Sequence, residues 1–333
     1  MADEQYFRSI HCLRGIAALM VVVYHTFSYG MVADLPRDAA IWMKYGVAIF
    51  FVISGFVMVT STKRRPHAAG DFIRRRLLRV VPLYWFATFF LFAVGLTKSG
   101  DEQRLLASLL FLPLASADGT SVAKPVLDVG WTLNLEMAFY LIFALSMALP
   151  RRWSVMITVA VLCLVALGSE LLSPNAWSST YLHPRLLDFA GGMLIAWYRV
   201  KLPSWCAVIG FGLLAWLGRD PSVPYTLAVT VPALLIVAGM AGAEASLPDP
   251  RSRSMQVLNV LGDASYAIYL MHFATFNLLV LPLAGYPAHP LIVIPLTVGF
   301  SAIVGVLVHR WIEKPLAQLL KSTLRRTPLA VPV

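Results

Sequence analysis

Charged residues are scarce in this sequence. Only 13% of its 333 residues are Asp, Glu, Lys or Arg, and 59% are hydrophobic. Soluble globular domains average about 25% charged and about 45–50% apolar residues. The shortage of charge therefore excludes an ordinary soluble domain and indicates a protein that is solvated by lipid. The aromatic share of 12% suits belts of aromatic rings at the two membrane interfaces.

Cysteine is also rare. Cys12, Cys163 and Cys206 all lie in apolar segments, and their spacing is not that of a metal site. This pattern excludes a disulfide framework, so we interpret the three as small buried hydrophobic residues. We expect no metal cofactor.

Acidic residues are outnumbered, with 17 Asp and Glu against 27 Lys and Arg and a net charge of +10. A basic balance can indicate a nucleic-acid partner, but no recognition module is visible. The basic residues lie between apolar runs, where membrane proteins keep their cytoplasmic charges. We therefore predict no nucleic-acid partner. The first apolar run, residues 10–27, has no small-residue cleavage site and is predicted to be a retained helix.

Long apolar runs, by contrast, are abundant. A helix needs about 20 mostly apolar residues to cross the hydrocarbon core. Segments of that kind occur about ten times, and two of them, 82–97 and 203–218, are short. The predicted spans are 8–28, 41–61, 82–97, 130–149, 153–172, 181–198, 203–218, 224–241, 257–281 and 291–311.

The distribution of Lys and Arg predicts the orientation. With both termini in the cytoplasm, 19 of these residues are cytoplasmic, 7 lie on the opposite side and Arg14 lies within the first span, which accounts for all 27. The sequence thus predicts an all-α, polytopic integral membrane protein with about ten transmembrane helices. We expect one membrane domain over 1–316, followed by a short basic cytoplasmic tail over 317–333.

Two predicted loops are longer than the others. The loop over 62–81 is strongly basic and cytoplasmic. The loop over 98–130 faces outward and is long enough to form a lid. A helix over 104–114 is too short to span the membrane and is expected at the surface.

Arg14 and His25 are unusual because both lie within the first span. Eleven residues at 100° each turn about 1100°, about 20° beyond three full turns, so both lie on one face and are about 16 Å apart along the axis. Ionisable groups in a membrane helix indicate function by default. The alternatives are a snorkelling interfacial arginine and a helix-end histidine bonded to a backbone carbonyl.

Glu136 lies in the apolar segment DVGWTLNLEMAFY, near Asn134 and Tyr140. A carboxylate there is costly unless it is paired, so a structural ion pair between two helices is the alternative to a functional role.

The segment LGDASYAIYLMHF contributes a further polar group. Residues four and seven positions apart share a helix face. Hydrogen bonding between helices is the alternative to a functional role for this group. His25, Glu136 and His272 are all predicted in the outer half of the membrane, which suggests one pocket if helix packing brings them together. The polar residues of this segment are Asp263, Ser265, Tyr266, Tyr269 and His272.

Arginines cluster in DFIRRRLLRVVPLYW. Arg76 and Arg79 are three residues apart and share a face, with Arg75 beside them. Such clusters bind phosphates through charge-assisted hydrogen bonds. The alternatives are a plain topology signal and attraction to anionic lipid.

Taken together and in order, these elements resemble the membrane acyltransferase-3 family over residues 8–316. Within it, the segment VGWTLNLEMAFY and the length are most similar to the ExoZ-type exopolysaccharide O-acetyltransferases. The matching elements are Arg14 and His25, FFVISGF at 50–56, Arg76, Arg79 and Pro82, Trp131 to Tyr140 with Glu136, Ser265 to His272, and Glu313 to Pro315.

The resemblance implies an acyl-CoA donor, usually acetyl-CoA. It also implies a hydroxyl acceptor on an exopolysaccharide, another surface glycan or a lipid-linked precursor, in the bacterial inner membrane. Arg75, Arg76 and Arg79, with Arg14, would hold the phosphates of CoA, and the thioester would lie near His25. A homo-oligomer is compatible with the sequence.

Two roles remain open for His25. It is either a general base toward the sugar hydroxyl, which we favour, or a nucleophile that is itself acylated. Glu136 would orient the imidazole, and Tyr269 or His272 would donate to the oxyanion. Trp131, Asn134 and Tyr140 complete the expected substrate site.

The main alternative function is transport. A carrier or flippase for a small molecule or lipid-linked sugar would also place His and Glu within the membrane. Repeated halves and paired broken helices, which are typical of many carriers, are not visible in the sequence.

Overall fold

The structure is a computed structural model that describes residues 7–32, 35–62, 69–94, 102–115, 122–168, 176–280 and 289–325. The described chain is almost entirely helical, as predicted. Strand structure in these ranges is limited to a two-residue antiparallel pair, β1 Leu114–Ala115 and β2 Val122–Ala123. The α-helices of the described residues are α1 Arg8–Ser28, α2 Gly46–Thr62, α3 Ala69–Ala93, α4 Glu102–Leu109, α5 Trp131–Ser146, α6 Arg151–Gly168, α7 Ala176–Tyr181, α8 Leu186–Tyr198, α9 Trp205–Leu217, α10 Val231–Gly242, α11 Arg253–Thr275, α12 Pro290–Val308 and α13 Lys314–Arg325.

Seven helical segments of the described chain are long and apolar enough to cross a membrane, which confirms a multi-pass membrane protein. The other three predicted positions hold α8 and α9, with 13 residues each, and α11, which carries several polar residues. The total of about ten spans and the orientation therefore stay predictions. The seven segments are Arg8–Ser28, Ile41–Thr62, Ala69–Ala93, Asp128–Ser146, Arg151–Gly168, Thr226–Ser246 and Pro290–Leu320.

Helix α3 begins earlier than predicted. It starts at Ala69 and continues through Pro82, so residues 69–81 of the predicted basic loop are helical. Residues 63–68 of that loop lie outside the described residues. Arginine is a good helix former, and the buried residues Val80, Leu83, Tyr84 and Ala87 recur at helical spacing. The arginine cluster is therefore carried on a helix that is continuous with the membrane segment.

The loop between α3 and α5, which was predicted to face outward, contains a short helix and two short strands. The predicted surface helix is α4, and β1 and β2 follow it. The Arg104 side chain donates to the backbone oxygen of Lys124 at 2.6 Å, which ties α4 to the residues after β2. At the other end of the chain α13 runs through residue 316, so the predicted tail is helical as far as Arg325.

Two helix pairs approach very closely where glycines lie at the contact. A Cβ at Gly192 of α8 would come 1.9 Å from the Val52 oxygen of α2, and one at Gly262 of α11 would come 2.5 Å from the His11 oxygen of α1. Small residues allow this approach between membrane helices. The contacts fix α1, α2, α8 and α11 around a common space.

Candidate active site

A large cavity lies between these helices, with a volume of about 1510 Å³. It is lined by residues of α1, α2, α3, α5, α6, α8, α10 and α11. One end is reached by exposed residues, Arg199 and Lys201, just after α8. The other end is closed by Thr132 and Tyr269, which are both buried.

The charge of the cavity lining is strongly unbalanced. Among the described residues, six cationic side chains line it against one carboxylate, that of Glu136. Positive charges gathered in a low-dielectric cleft favour an anionic ligand. The six cations are Arg14, Arg76, Arg79, Arg151, Arg199 and Lys201.

The predicted phosphate-binding arginines are divided by the structure. Arg14, Arg76 and Arg79 line the cavity together, and we call them the inner arginines. Arg76 donates to Ser61 Oγ at 3.2 Å and lies over the ring of Tyr140 at 5.8 Å. Arg14 and Arg79 have no hydrogen-bond or ion-pair partner among the described residues, so both guanidinium groups are available to a ligand.

Arg75, which was expected to join them, lies elsewhere. Its side chain is exposed and its Nε donates to the backbone oxygen of Asp71 at 3.2 Å. It does not line the cavity. Neighbouring positions on a helix are 100° apart, so Arg75 and Arg76 cannot share a face. This corrects the expectation that Arg75 belongs to the phosphate site.

Glu136 lies inside the cavity and is held by two hydroxyl groups. Ser54 Oγ donates to its Oε1 at 3.3 Å, and the Tyr140 hydroxyl donates to the same oxygen. Among the described residues it forms neither an ion pair nor a hydrogen bond to His25. This corrects the expectation that Glu136 orients His25.

His25 lies in the last turn of α1 and is partly exposed. Its Nδ1 is 3.1 Å from the backbone oxygen of Val21 and 3.1 Å from Nε2 of His272. A carbonyl oxygen can only accept, so Nδ1 carries the proton and Nε2 keeps the lone pair. The bond to Val21 is the bond to a backbone carbonyl that was the alternative to a functional role for His25. It leaves Nε2, the nitrogen with the lone pair, available.

His272 is the partner that orients His25. It is fully buried in α11, and its ring stacks on that of His25 with centroids 5.0 Å apart. Its Nε2 lies 3.1 Å from His25 Nδ1, so the two imidazoles contact each other through this polar approach as well as by stacking. The pairing follows from the close contact of α1 with α11.

Tyr269 separates the histidine pair from the cavity. Its hydroxyl lies 2.8 Å from Thr132 Oγ1 and 3.2 Å from the Val129 oxygen. Its ring is 5.9 Å from that of Phe50 and 6.2 Å from that of His272. Tyr269 and Tyr266 thus make hydrogen bonds between helices, the latter to the Val80 oxygen at 2.8 Å. The ring of Tyr269 also lies between the His25–His272 pair and the large cavity.

Trp131 and Asn134 line a different and smaller cavity of about 240 Å³. The guanidinium of Arg185 lies 4.7 Å from the centre of the Trp131 ring, and His183 lines the same space. Asn134 Oδ1 is buried without a hydrogen-bond partner among the described residues. The predicted substrate residues therefore lie in two places. Tyr140 and Tyr269 line the large cavity, whereas Trp131 and Asn134 line the smaller one.

Known proteins provide an independent comparison. A family model described as an acyltransferase domain, Acyl_transf_3, matches residues 7–310. The chain belongs to the acyltransferase-3 family. It is a membrane acyltransferase, and this membership favours chemistry over transport.

Relatives of this acyltransferase share much of its length. It is 35% identical to the exopolysaccharide production protein ExoZ of Rhizobium meliloti over 81% of its own chain and 88% of the relative. It is 28% identical to the acyltransferase MdmB of Streptomyces mycarofaciens over 97% and 94%. It is 26% identical to nodulation protein 10 of Rhizobium leguminosarum over 94% of each. No solved structure gives a significant match.

Several residues of this acyltransferase site were not singled out from the sequence. Ser54, in FFVISGF, holds Glu136. Lys124, which lines the smaller cavity, donates to the Asp128 carboxylate at 2.9 Å. Arg185 looks like an ordinary loop cation in the sequence, and only its stacking on Trp131 identifies it.

Proposed function

We propose that this acyltransferase is an O-acyltransferase that moves an acetyl group from acetyl-CoA, or another acyl group from its CoA thioester, to a carbohydrate hydroxyl. The acceptor is an exopolysaccharide, another surface glycan or a lipid-linked precursor. One observation carries the proposal: a cavity with six cations and one carboxylate suits a ligand with several phosphates. The similarity to ExoZ, an exopolysaccharide production protein, supports an exopolysaccharide acceptor.

The proposed topology places the cavity entrance in the cytoplasm. Arg76, Arg151, Arg199 and Lys201 all belong to the segments that the charge distribution predicts to be cytoplasmic. Acyl-CoA is made there and would enter directly. Ten spans with both termini inside, in a bacterial inner membrane, complete this arrangement.

His25 is proposed as the general base. Its Nε2 takes the proton of the sugar hydroxyl as the hydroxyl oxygen attacks the thioester carbonyl carbon. A C–O ester bond forms, the C–S bond breaks, and the proton passes from the imidazolium to the leaving thiolate. CoA leaves as the thiol and His25 returns to its neutral form. The lone pair on Nε2, fixed by the bond from Nδ1 to Val21, supports this role.

The other site residues are proposed to bind the acyl donor or the carbohydrate acceptor. Tyr269 ends the donor cavity, so the thioester would pass its ring to reach His25. Its hydroxyl, which donates to the Val129 oxygen in this structure, would turn to donate to the oxyanion. Glu136 and Tyr140 shape the donor cavity between Ser54 and the inner arginines. Trp131, Asn134 and Arg185 offer an aromatic face with polar groups, which suits a sugar ring on the acceptor side.

The proposal is tested by mass spectrometry of surface glycans from cells with the intact protein, with Glu136→Gln, and without the protein. We expect glycan-linked acetyl or another acyl ester only where the intact protein is present, and a reduced amount with Glu136→Gln. The reason is that the neutral amide weakens the contacts with Ser54 and Tyr140 inside the donor cavity. Equal ester content with and without the protein would contradict the proposed function.

A further inference from the structure

The entrance of the large cavity carries a second group of side chains that no sequence motif predicted. Arg151, Trp197, Arg199 and Lys201 line it where α6 begins and α8 ends. We call them the rim cluster. Its cations are exposed, as is Arg79 of the inner arginines, whereas Arg14 and Arg76 are partly buried. No carboxylate of the described chain lines this part of the cavity.

Arg151 and Trp197 pack against each other, and we call them the Arg151–Trp197 platform. The guanidinium lies over the indole ring, 5.3 Å from its centre, and its Nη2 donates to the Val59 oxygen at 3.3 Å. The backbone bond and the packing of α6 on α8 hold both groups in place. A guanidinium held over an aromatic ring offers a cationic surface that stacks well on a purine base.

Arg199 adopts a backbone conformation that normally favours glycine. It is the C-cap of α8, with φ at 55° and ψ at 38°. A side chain in this left-handed region is strained by the close approach of its Cβ to the following carbonyl oxygen, and helices commonly place glycine there. An arginine kept at such a position, exposed on a cavity rim, indicates a use for its side chain.

Lys201 brings a further positive charge close by. Its Nζ lies 5.8 Å from the ring of Phe7, which precedes α1. It has no carboxylate partner among the described residues. Arg199 and Lys201, two residues apart just after α8, therefore present two uncompensated charges beside the Arg151–Trp197 platform.

We propose that the rim cluster binds the 3′-phosphorylated adenosine end of the acyl-CoA donor, which rests on the proposed function. Adenine lies against Trp197 and Arg151, and the 3′-phosphate is bound by Arg199 and Lys201. The inner arginines are left for the diphosphate. The two cation groups then match the two phosphorylated parts of the donor, and the pantetheine arm continues toward Tyr269.

Two donors that differ only in the 3′-phosphate test this assignment. Initial rates of thiol release would be measured for the purified full-length protein with acetyl-CoA and with acetyl-dephospho-CoA. Wild type is expected to show a kcat/KM about tenfold or more higher for acetyl-CoA, because phosphate contacts from charged donors are strong. Arg199→Gly and Lys201→Ala are expected to bring that ratio to near one.

Arg152→Ala is the matched control. Arg152 neighbours Arg151 on α6 but lies over Trp153 and does not line the cavity. The ratio of kcat/KM for the two donors is therefore expected to be the same in Arg152→Ala as in wild type. Glycine suits the backbone at position 199, so Arg199→Gly preserves the helix end. The amount of folded enzyme in each variant is measured separately, from the monodisperse fraction of the purified protein on size-exclusion chromatography.

The outcomes separate the two proposals. If wild type consumes both donors equally, or if Arg199→Gly and Lys201→Ala keep the wild-type ratio, the rim assignment is overturned and the proposed function stands. If wild type releases no thiol from either donor even with glycan acceptor present, the proposed function fails and the rim assignment fails with it.

Discussion

Replacement of His25 by alanine is expected to lower kcat/KM for acyl transfer by about 10²- to 10⁴-fold, the usual contribution of general acid–base catalysis. The variant removes the nitrogen with the free lone pair and leaves the cavity lining unchanged, because His25 does not line the cavity. The measurement is thiol release from acetyl-CoA by purified protein in the presence of the glycan acceptor.

Binding of CoA is the control for this variant. Arg14, eleven residues away on α1, faces the cavity, so donor affinity is expected to stay within about twofold of wild type. Near-wild-type turnover by a well-folded His25→Ala protein would remove His25 from the reaction. A loss of both turnover and CoA binding would indicate a structural role instead.

The second large effect is expected at the inner arginines. Arg76→Ala should raise the dissociation constant of CoA by about 10- to 100-fold, because a hydrogen bond to a charged group contributes about 1.5–3 kcal/mol. Wild-type binding should weaken as salt is added, and the variant should show a smaller salt dependence. Equilibrium binding of CoA to the purified protein at two salt concentrations measures both.

Arg75→Ala is the matched control in this case. The two arginines are adjacent on α3, have the same charge, and differ in that Arg76 lines the cavity and Arg75 bonds to Asp71. If the arginines act only through overall charge or through anionic lipid, both variants should weaken CoA binding equally. Equal effects would therefore contradict the assigned site.

The helices themselves could largely be predicted from the sequence. The first span was predicted at 8–28 and the structure has α1 at Arg8–Ser28, since an apolar run bounded by polar residues fixes both ends. The start of α3 could not be predicted in the same way. Hydropathy does not distinguish an arginine-rich helix from a basic loop, and only the buried stripe from Val80 onward connects it to the span.

The sequence predicts which site residues share a face of one helix, but not which faces of different helices meet. Helical periodicity places Arg76 with Arg79, and the structure has both on one cavity. The angular position of one helix relative to another is set by packing. Because α1 packs on α11, His25 meets His272, whereas Glu136 of α5 accepts from Ser54 of α2 and from Tyr140, one turn further along α5.

The smaller cavity and the rim cluster were missed for a related reason. Arg185 immediately precedes α8 and Arg199 follows it, and a cation at either end of a membrane helix is usually interpreted as an interfacial anchor. Their significance comes from what they contact or line: Trp131 for Arg185, and the cavity entrance for Arg199. Such relations between distant segments have no local sequence signature.

The central claim is that an acyl group passes from CoA to a carbohydrate hydroxyl in this one chain, by direct transfer. The most direct measurement is a single-turnover experiment with purified protein in lipid vesicles, acyl-labelled acetyl-CoA and the glycan or its lipid-linked precursor. We predict base-labile label on the glycan, one CoA thiol released per ester formed, and no label on the protein. Label that stays entirely on the CoA, with no thiol released, would contradict the account.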